Sequence, residues 1–262
     1  RGNGAHVDRN DVLSWPEGNG FLVDRLNEQH QIPIRHQQLV YAVNKTDHNF
    51  EVLVYDVPND RSIRYRCKAV IGALPLYLAT RFSVYSEREV PELQYAPWLV
   101  ANIHFNDPNG ELFNFESYWD NVLYNSPSLG YIQSGHQRFH AHFQEGVMTY
   151  YYALQGSDER EVRKSMREKS LDQWIEEVFA DLSTAHPKLR NYVKSAEIKL
   201  WGHAMLKPLV GSMRGAVKAW RSASPEVGYF VAHSDCGGLS LFEEAFDSGR
   251  QAALQTLKYI KA

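Results

Sequence analysis

Between Gln37 and Leu74 the chain carries three runs rich in β-branched and aromatic residues, QQLVYAVNKT, FEVLVYDV and SIRYRCKAVIGAL, separated by the polar breaks DHN and PNDR. Apolar alternation bounded by such breaks predicts a meander of antiparallel strands. Before it, NGFLVDRLNEQ (Asn19 to Gln29) places Phe21, Leu22, Val23 and Leu26 at helical spacing behind a glycine-containing entry, which predicts a short helix. From Trp98 to Leu154 the pattern stays strand-like and aromatic, most clearly in WLVANIHF and VMTYYYAL. Glu159 to Leu182 then reads as one long helix, with Val162, Met166, Leu171, Trp174, Ile175, Val178 and Phe179 as its apolar stripe. AHPKL stops it, and SAEIKLWGHAM predicts a further strand. Near the end, YFVA meets the small polar cluster HSDCGG and a long amphipathic helix pattern follows at once. There Ser240 is the expected N-cap, with Glu243 three residues on as its capping-box partner.

Composition changes this picture little. With 262 residues, 44% apolar and 13% aromatic, the chain fills one large domain or two modest ones. Its 28 basic and 31 acidic residues are interspersed, for a formal charge of -3. That gives no electrostatic footprint for nucleic acid and no polybasic membrane patch. No run of about 18 apolar residues suggests a membrane span. The opening RGNGAHVDRN has neither Met nor the apolar stretch of a signal peptide, so a fragment or processed chain is expected. Cys67 and Cys236 lie far apart without C-x-x-C spacing, which indicates neither a zinc site nor a disulfide framework.

Several residues carry candidate chemistry. Free N–H groups at the helix start after Gly237 and Gly238 suit an anion or a polar ring edge, although an ordinary strand-turn-helix connection has the same pattern. Asp235 is then either a ligand carboxylate or a turn residue. His136, His140 and His142 fall within seven residues, but no carboxylate or thiolate stands in register with them, so no metal site is expected. Tyr150 and Tyr152 share one strand face and Tyr151 takes the other, which fits a half-buried core strand or an aromatic wall over a ligand. Trp201 and His203 share a face of KLWGHAM, where His203 either contacts a substrate or fills the core.

The stretch AHSDCGGLSLFEEAFDSGRQAA resembles the C-terminal signature of the FAD-dependent amine oxidase family: a strand ending in a small-residue and acidic cluster, then a helix with an E-x-A…S-G…A-A pattern. WPEGNGFLVDRL is similar to that family's glycine-containing loop and helix, LVYAV to its V-x-x-I-like strand, AVIGALP to its apolar strand ending in proline, and KLWGHAM to its late tryptophan strand. These segments keep the family's order from Trp15 to Ala253.

The resemblance implies an α/β (α+β mixed) fold: part of an FAD/NAD(P)-binding Rossmann-like domain (residues 1–78 and 223–262) and a substrate domain (79–222) with a mixed sheet and flanking helices. It implies FAD as the cofactor, with Val40 offering backbone contacts to the adenine edge and Ala73, Leu74 and Pro75 running past the dinucleotide. Ser234, Asp235 and Gly238 form the acidic turn, Asp235 accepting from the ribityl chain or lying near the pyrophosphate. Leu241 and Phe242 present backbone N–H groups to flavin O2 and N1, where reduction places negative charge that a helix N-terminus stabilises. Trp201, His203, Asn102 and Tyr150 are the implied substrate-side residues. The implied reaction is oxidation of an amine or amino acid by hydride transfer to FAD.

Two departures qualify that reading. The family's G-x-G-x-x-G loop is missing, since GNG at Gly18 to Gly20 has neither the third glycine nor the later acidic residue. An N-terminal segment or a second chain is therefore expected to supply it, and homo-oligomerisation is compatible with the fold. In addition, Val100, Ala101 and Asn102 stand where many members carry a lysine that assists reaction with oxygen, so dehydrogenase and oxidase chemistry are equally open. The alternative from a different class is a non-catalytic domain or subunit that keeps the fold for binding or assembly. A small amine-like substrate is the expected partner of the first reading.

Overall fold

The chain builds two compact units: Pro33–Pro97 and Gly202–Ala262 form a discontinuous unit, while Trp98–Trp201 groups with Arg1–Ile32 as a central unit. The computed structural model describes residues 17–82, 84, 93–112, 120–134, 145–212, 215 and 227–261. In chain order the elements are α1 (Asn19–His30), β1 (Gln38–Lys45), β2 (Phe50–Asp56), β3 (Arg61–Cys67), β4 (Val70–Gly72), α2 (Leu76–Ala79), β5 (Tyr95–Asn106), β6 (Asp120–Asn121) and β7 (Gly130–Gln133). They continue with β8 (Glu145–Ala153), α3 (Glu159–Glu168), α4 (Leu171–Leu182), β9 (Val193–Leu206), β10 (Tyr229–Val231) and α5 (Phe242–Lys261). The unit boundaries fall at Pro97/Trp98 and Trp201/Gly202, inside the long strands β5 and β9, rather than in loops near 78 and 222.

In the discontinuous unit, β1, β2 and β3 form the expected antiparallel meander. Its inward positions Val43, Phe50 and Val54 are buried. Tyr41 is the extra residue of a bulge, where the register shifts between Val40 and Ala42. The third run, SIRYRCKAVIGAL, is two strands. Its first half alternates between exposed and half-buried positions and closes the meander as β3. The apolar VIG then pairs in parallel with β10, Tyr229 opposite Val70 and Val231 opposite Gly72. This short parallel pair lies between two layers, as parallel strands require. Tyr229 packs toward Phe50 of the meander, with ring centroids 6.2 Å apart. Phe230 meets Tyr259 of α5 on the other side, 6.0 Å between centroids. Gly72 is needed there, because a Cβ at this position would stand 2.1 Å from the Tyr229 hydroxyl.

The central unit is a five-stranded sheet in the order β6-β7-β8-β5-β9. β5 alternates strictly between buried and half-buried positions along all 12 residues, as a sheet with one covered face must. Leu99, Ala101, Ile103 and Phe105 of β5 and Met148 and Tyr150 of β8 form a core with Met166 of α3 and Trp174, Val178, Phe179 and Leu182 of α4. Each fully buried large apolar side chain contributes about 1.5–3 kcal/mol. The long helix expected over Glu159 to Leu182 is in fact two. Its apolar stripe steps five residues from Met166 to Leu171, one too many for a continuous face. Ser170 fills the gap by starting α4 with a full capping box: its hydroxyl accepts the Gln173 N–H at 3.2 Å, and Gln173 Oε1 accepts the Ser170 N–H at 2.8 Å.

No helix among the described residues is long and apolar enough to cross a membrane.

Candidate functional site

Where β10 ends, the chain makes a single 3-10 turn, Ser234–Cys236, and Gly238 follows in the left-handed region at φ 79°. Across from it the chain leaves β4 through Ala73, Leu74 and Pro75 into α2. Parallel pairing of β4 and β10 sets these two exits side by side. Their meeting point is Asp235, only 1% exposed. Its Oδ2 accepts the Leu76 N–H at 3.0 Å and the Tyr95 hydroxyl at 2.6 Å, and lies 3.1 Å from His233 Nδ1. Among the described residues, no hydrogen bond is directed at Oδ1. Burial acts to raise the carboxyl's pKa, but the hydrogen bonds from His233, Tyr95 and the Leu76 amide outweigh it and hold the group below the usual carboxylate range. Tyr95 responds in the opposite direction: burial first, then its bond to the Asp235 carboxylate, push the phenol well above its ordinary value.

His233 Nδ1 also lies 3.1 Å from the Asp235 backbone nitrogen. A neutral ring nitrogen accepts that N–H, and a protonated one donates to Oδ2; it cannot do both at once.

A cleft of about 230 Å³ opens over this carboxylate, lined by Pro75, Tyr95, His203, Asp235, Ser240 and Leu241 among others. Every lining residue belongs to the discontinuous unit. His203 stacks on Tyr77 with ring centroids 4.3 Å apart and planes 13° apart, and Tyr95 meets Tyr77 edge-on at 5.0 Å. Leu241, 50% exposed, gives the cleft an apolar lip. Ser240 does not cap α5, which starts two residues later at Phe242. Its hydroxyl instead accepts the Leu206 N–H at 2.9 Å.

Of the residues named from sequence, Pro75, His203, Ser234, Asp235 and Leu241 come together at this cleft. Ala73 and Leu74 precede Pro75 in the same connection, and Phe242 opens α5 stacked against Phe246. Val40 sits beside the bulge of β1, the edge strand of the meander, with its side chain against the unit's core. The others belong to the central unit. Asn102 Oδ1 accepts from the hydroxyl of Thr149, its cross-strand partner, at 2.9 Å. Tyr150 is 2% exposed and donates to Asp181 Oδ2 at 2.8 Å. It is thus a core residue rather than the wall of a pocket, because its ring packs among core side chains and its hydroxyl is bound. Trp201 is 50% exposed, with Lys199 Nζ 5.3 Å from its ring centre. His136, His140 and His142 lie outside the described residues. Among the described residues no group of three or more His, Cys, Asp or Glu side chains could hold a metal ion.

Tyr77, Tyr95 and His233 were not singled out from sequence. His233 had a signal, being two residues before Asp235 at a strand end. Tyr95 had none, since 140 residues separate it from its partner.

No family model matches the chain, and no curated protein matches it in sequence. Its fold, however, is shared with solved structures. A candidate protoporphyrinogen oxidase from Exiguobacterium sp. 255-15 aligns over 96% of this chain and 54% of its own, with a TM-score of 0.68 at 13% identity. Cyclohexylamine oxidase from Brevibacterium oxydans IH-35A aligns over 94% and 53%, with a TM-score of 0.66 at 10% identity. The p-nitrophenol 4-monooxygenase PnpA from Pseudomonas putida DLL-E4 aligns over 92% and 54%, with a TM-score of 0.50 at 14% identity. The fold is therefore the mixed α/β fold of FAD-binding oxidases. The chain spans about half the length of these structures.

Proposed function

We propose that this chain is the part of an FAD-dependent oxidoreductase that holds the flavin end of the cofactor and carries the substrate domain, and that the complete protein oxidises an amine or amino acid. The observation that carries this reading is Asp235: a buried carboxylate with two fixed donors, the Leu76 amide and the Tyr95 hydroxyl, on Oδ2 and His233 beside it, and with no hydrogen bond to Oδ1 among the described residues. Such a group suits a ribityl or ribose hydroxyl, since charge-assisted hydrogen bonds are the strong ones. The donor set around the cleft thus fits the sugar-alcohol and ring-edge part of FAD. It does not fit the pyrophosphate, for which the 262 residues hold no G-x-G-x-x-G loop. That loop comes from a preceding segment or a second chain, and the discontinuous unit is the cofactor side of the protein. When bound, FAD supplies the hydride acceptor. Leu241 and Tyr95 then exclude water, and His203, held flat against Tyr77, orients the substrate. Fold likeness to a cyclohexylamine oxidase supports the amine class.

FAD titrations followed by flavin fluorescence test the reading. In the complete protein Asp235→Ala should weaken binding by roughly 10- to 100-fold, about 1.4 kcal/mol for each factor of ten, and Asp235→Asn should be milder because one acceptor oxygen remains. Flavin should be lost when the chain alone is desalted. Unchanged affinity in both variants would remove Asp235 from the cofactor site, and stoichiometric FAD after desalting would show that no further loop is needed. Anaerobic addition of amines and amino acids, read as bleaching of bound flavin in the complete protein, tests the substrate class.

A further inference from the structure

Asp235 sits in a setting that would ordinarily drive a carboxyl to take up a proton. The side chain is buried, and among the described residues the titratable and charged groups packed around it are few. They are His233 in its own turn, Tyr95 on β5, Tyr77 on α2, His203 on β9, and Glu244 on α5, whose carboxylate covers Gly237. Tyr77 and His203 stack on each other, and Glu244 is acidic and adds nothing that favours a second negative charge. Among the described residues, only His233, Tyr95 and the Leu76 amide reach the carboxylate.

These three are not equivalent. His233 Nδ1 has the Asp235 N–H as a competing partner at the same distance, so its support depends on its own protonation. The Leu76 amide is fixed by α2 and cannot adjust. Tyr95 makes the shortest contact, 2.6 Å, is itself 5% exposed, and has its ring braced edge-on by Tyr77. This packing holds the ring where its hydroxyl meets Oδ2.

We propose that Tyr95 is a positioning residue for Asp235: its hydroxyl, together with the Leu76 amide, pins Oδ2 and so turns Oδ1 toward the cleft, where a ligand hydroxyl is received. The assignment deepens the cofactor reading above and rests on it for the identity of that ligand. The direction of the carboxyl's titration agrees, since a donor at 2.6 Å stabilises the ionised form. Because Tyr95 and His203 both contact Tyr77, the same phenol also connects the carboxylate to the aromatic side of the cleft.

The test uses the complete protein and Tyr95→Phe, which keeps the ring and its packing but removes the donor. Carbon NMR of labelled aspartate follows Asp235, and FAD fluorescence follows binding. In Tyr95→Phe the Asp235 titration should move up toward the ordinary carboxylate range, and FAD affinity should fall about tenfold, the loss expected for one charge-assisted hydrogen bond. An unmoved titration overturns the proposal, and so does a moved titration with FAD bound as tightly as by the parent chain. If neither the complete protein nor its Tyr95→Phe variant binds FAD while the titration still moves, the cofactor reading fails and the positioning of Asp235 stands. Should Tyr95→Phe not fold, the parent chain decides: the Tyr95 Cζ resonance must step in concert with Asp235 as the pH is lowered, and its absence overturns the proposal.

Discussion

The hydroxyl of Ser240 accepts the backbone N–H of Leu206 at 2.9 Å, tying the last residue of β9 to the turn before α5. In this position the serine closes a strand end instead of opening a helix.

Ser240→Ala should therefore destabilise the protein by about 1–2 kcal/mol, because the Leu206 amide loses its acceptor in a half-buried place. Helix content should not change, since α5 begins beyond Ser240. Chemical denaturation beside far-ultraviolet circular dichroism checks both; a loss of helix with the loss of stability would return Ser240 to a capping role.

Tyr150→Phe separates a core residue from a substrate wall. Its hydroxyl shares Asp181 Oδ2 with Ser126, which donates at 2.6 Å, so the carboxylate keeps a partner when the phenol goes. The change should cost about 1 kcal/mol of stability and leave turnover of bound flavin by substrate untouched. A tenfold fall in turnover at unchanged stability would place Tyr150 in the reaction.

Two buried groups give the stability curve its shape with pH. His186, 1% exposed and 2.7 Å from the Tyr131 hydroxyl, has its pKa lowered chiefly by burial. Its unfolded counterpart takes a proton near pH 6.5 while the folded ring does not. Stability should therefore fall as the pH drops from about 6.5 toward the folded midpoint. Asp235 works lower down: its folded pKa is depressed, so its contribution is complete above the unfolded value near 3.9 and is lost as the pH falls through the folded one. Thermal melts from about pH 8 to pH 3 should show two descending stretches, the upper one missing in His186→Gln. A flat curve between about pH 7 and pH 5 in the parent chain contradicts the first, and an Asp235→Asn curve that descends as steeply as the parent's below about pH 4 contradicts the second.

Much of the fold was legible because it rests on local pattern. The meander could be read from alternation and polar breaks, β5 from its period of two, and α5 from its amphipathic stripe. The errors came where one residue decided between two continuations. Ser170 cut a helix that otherwise looked unbroken, and Lys68 and Ala69 divided a run whose halves join different sheets. In the site, Pro75, Asp235 and Leu241 were accessible through a resemblance carried by local motifs. Tyr95 was not, because a tyrosine at a strand start is unremarkable until the fold brings Asp235 to it. Tyr150 was ambiguous for a related reason: a strand's alternation shows which residues share a face, but not whether that face is covered by α4.

The pairing of β4 with β10 also has a kinetic side. Leu76 and Asp235, just past these two strands, are 159 positions apart, and such a contact must wait for a long stretch of chain to be gathered. The stretch between them contains Trp98–Trp201 of the central unit, whose sheet has β5 and β9 as neighbours. Once that sheet has formed, its two ends emerge side by side, and a closure that spanned more than a hundred residues becomes a short bridge. A folding order in which the central sheet forms before β4 meets β10 would avoid the entropy of closing the full loop, and would leave the carboxylate at Asp235 among the last groups to be assembled.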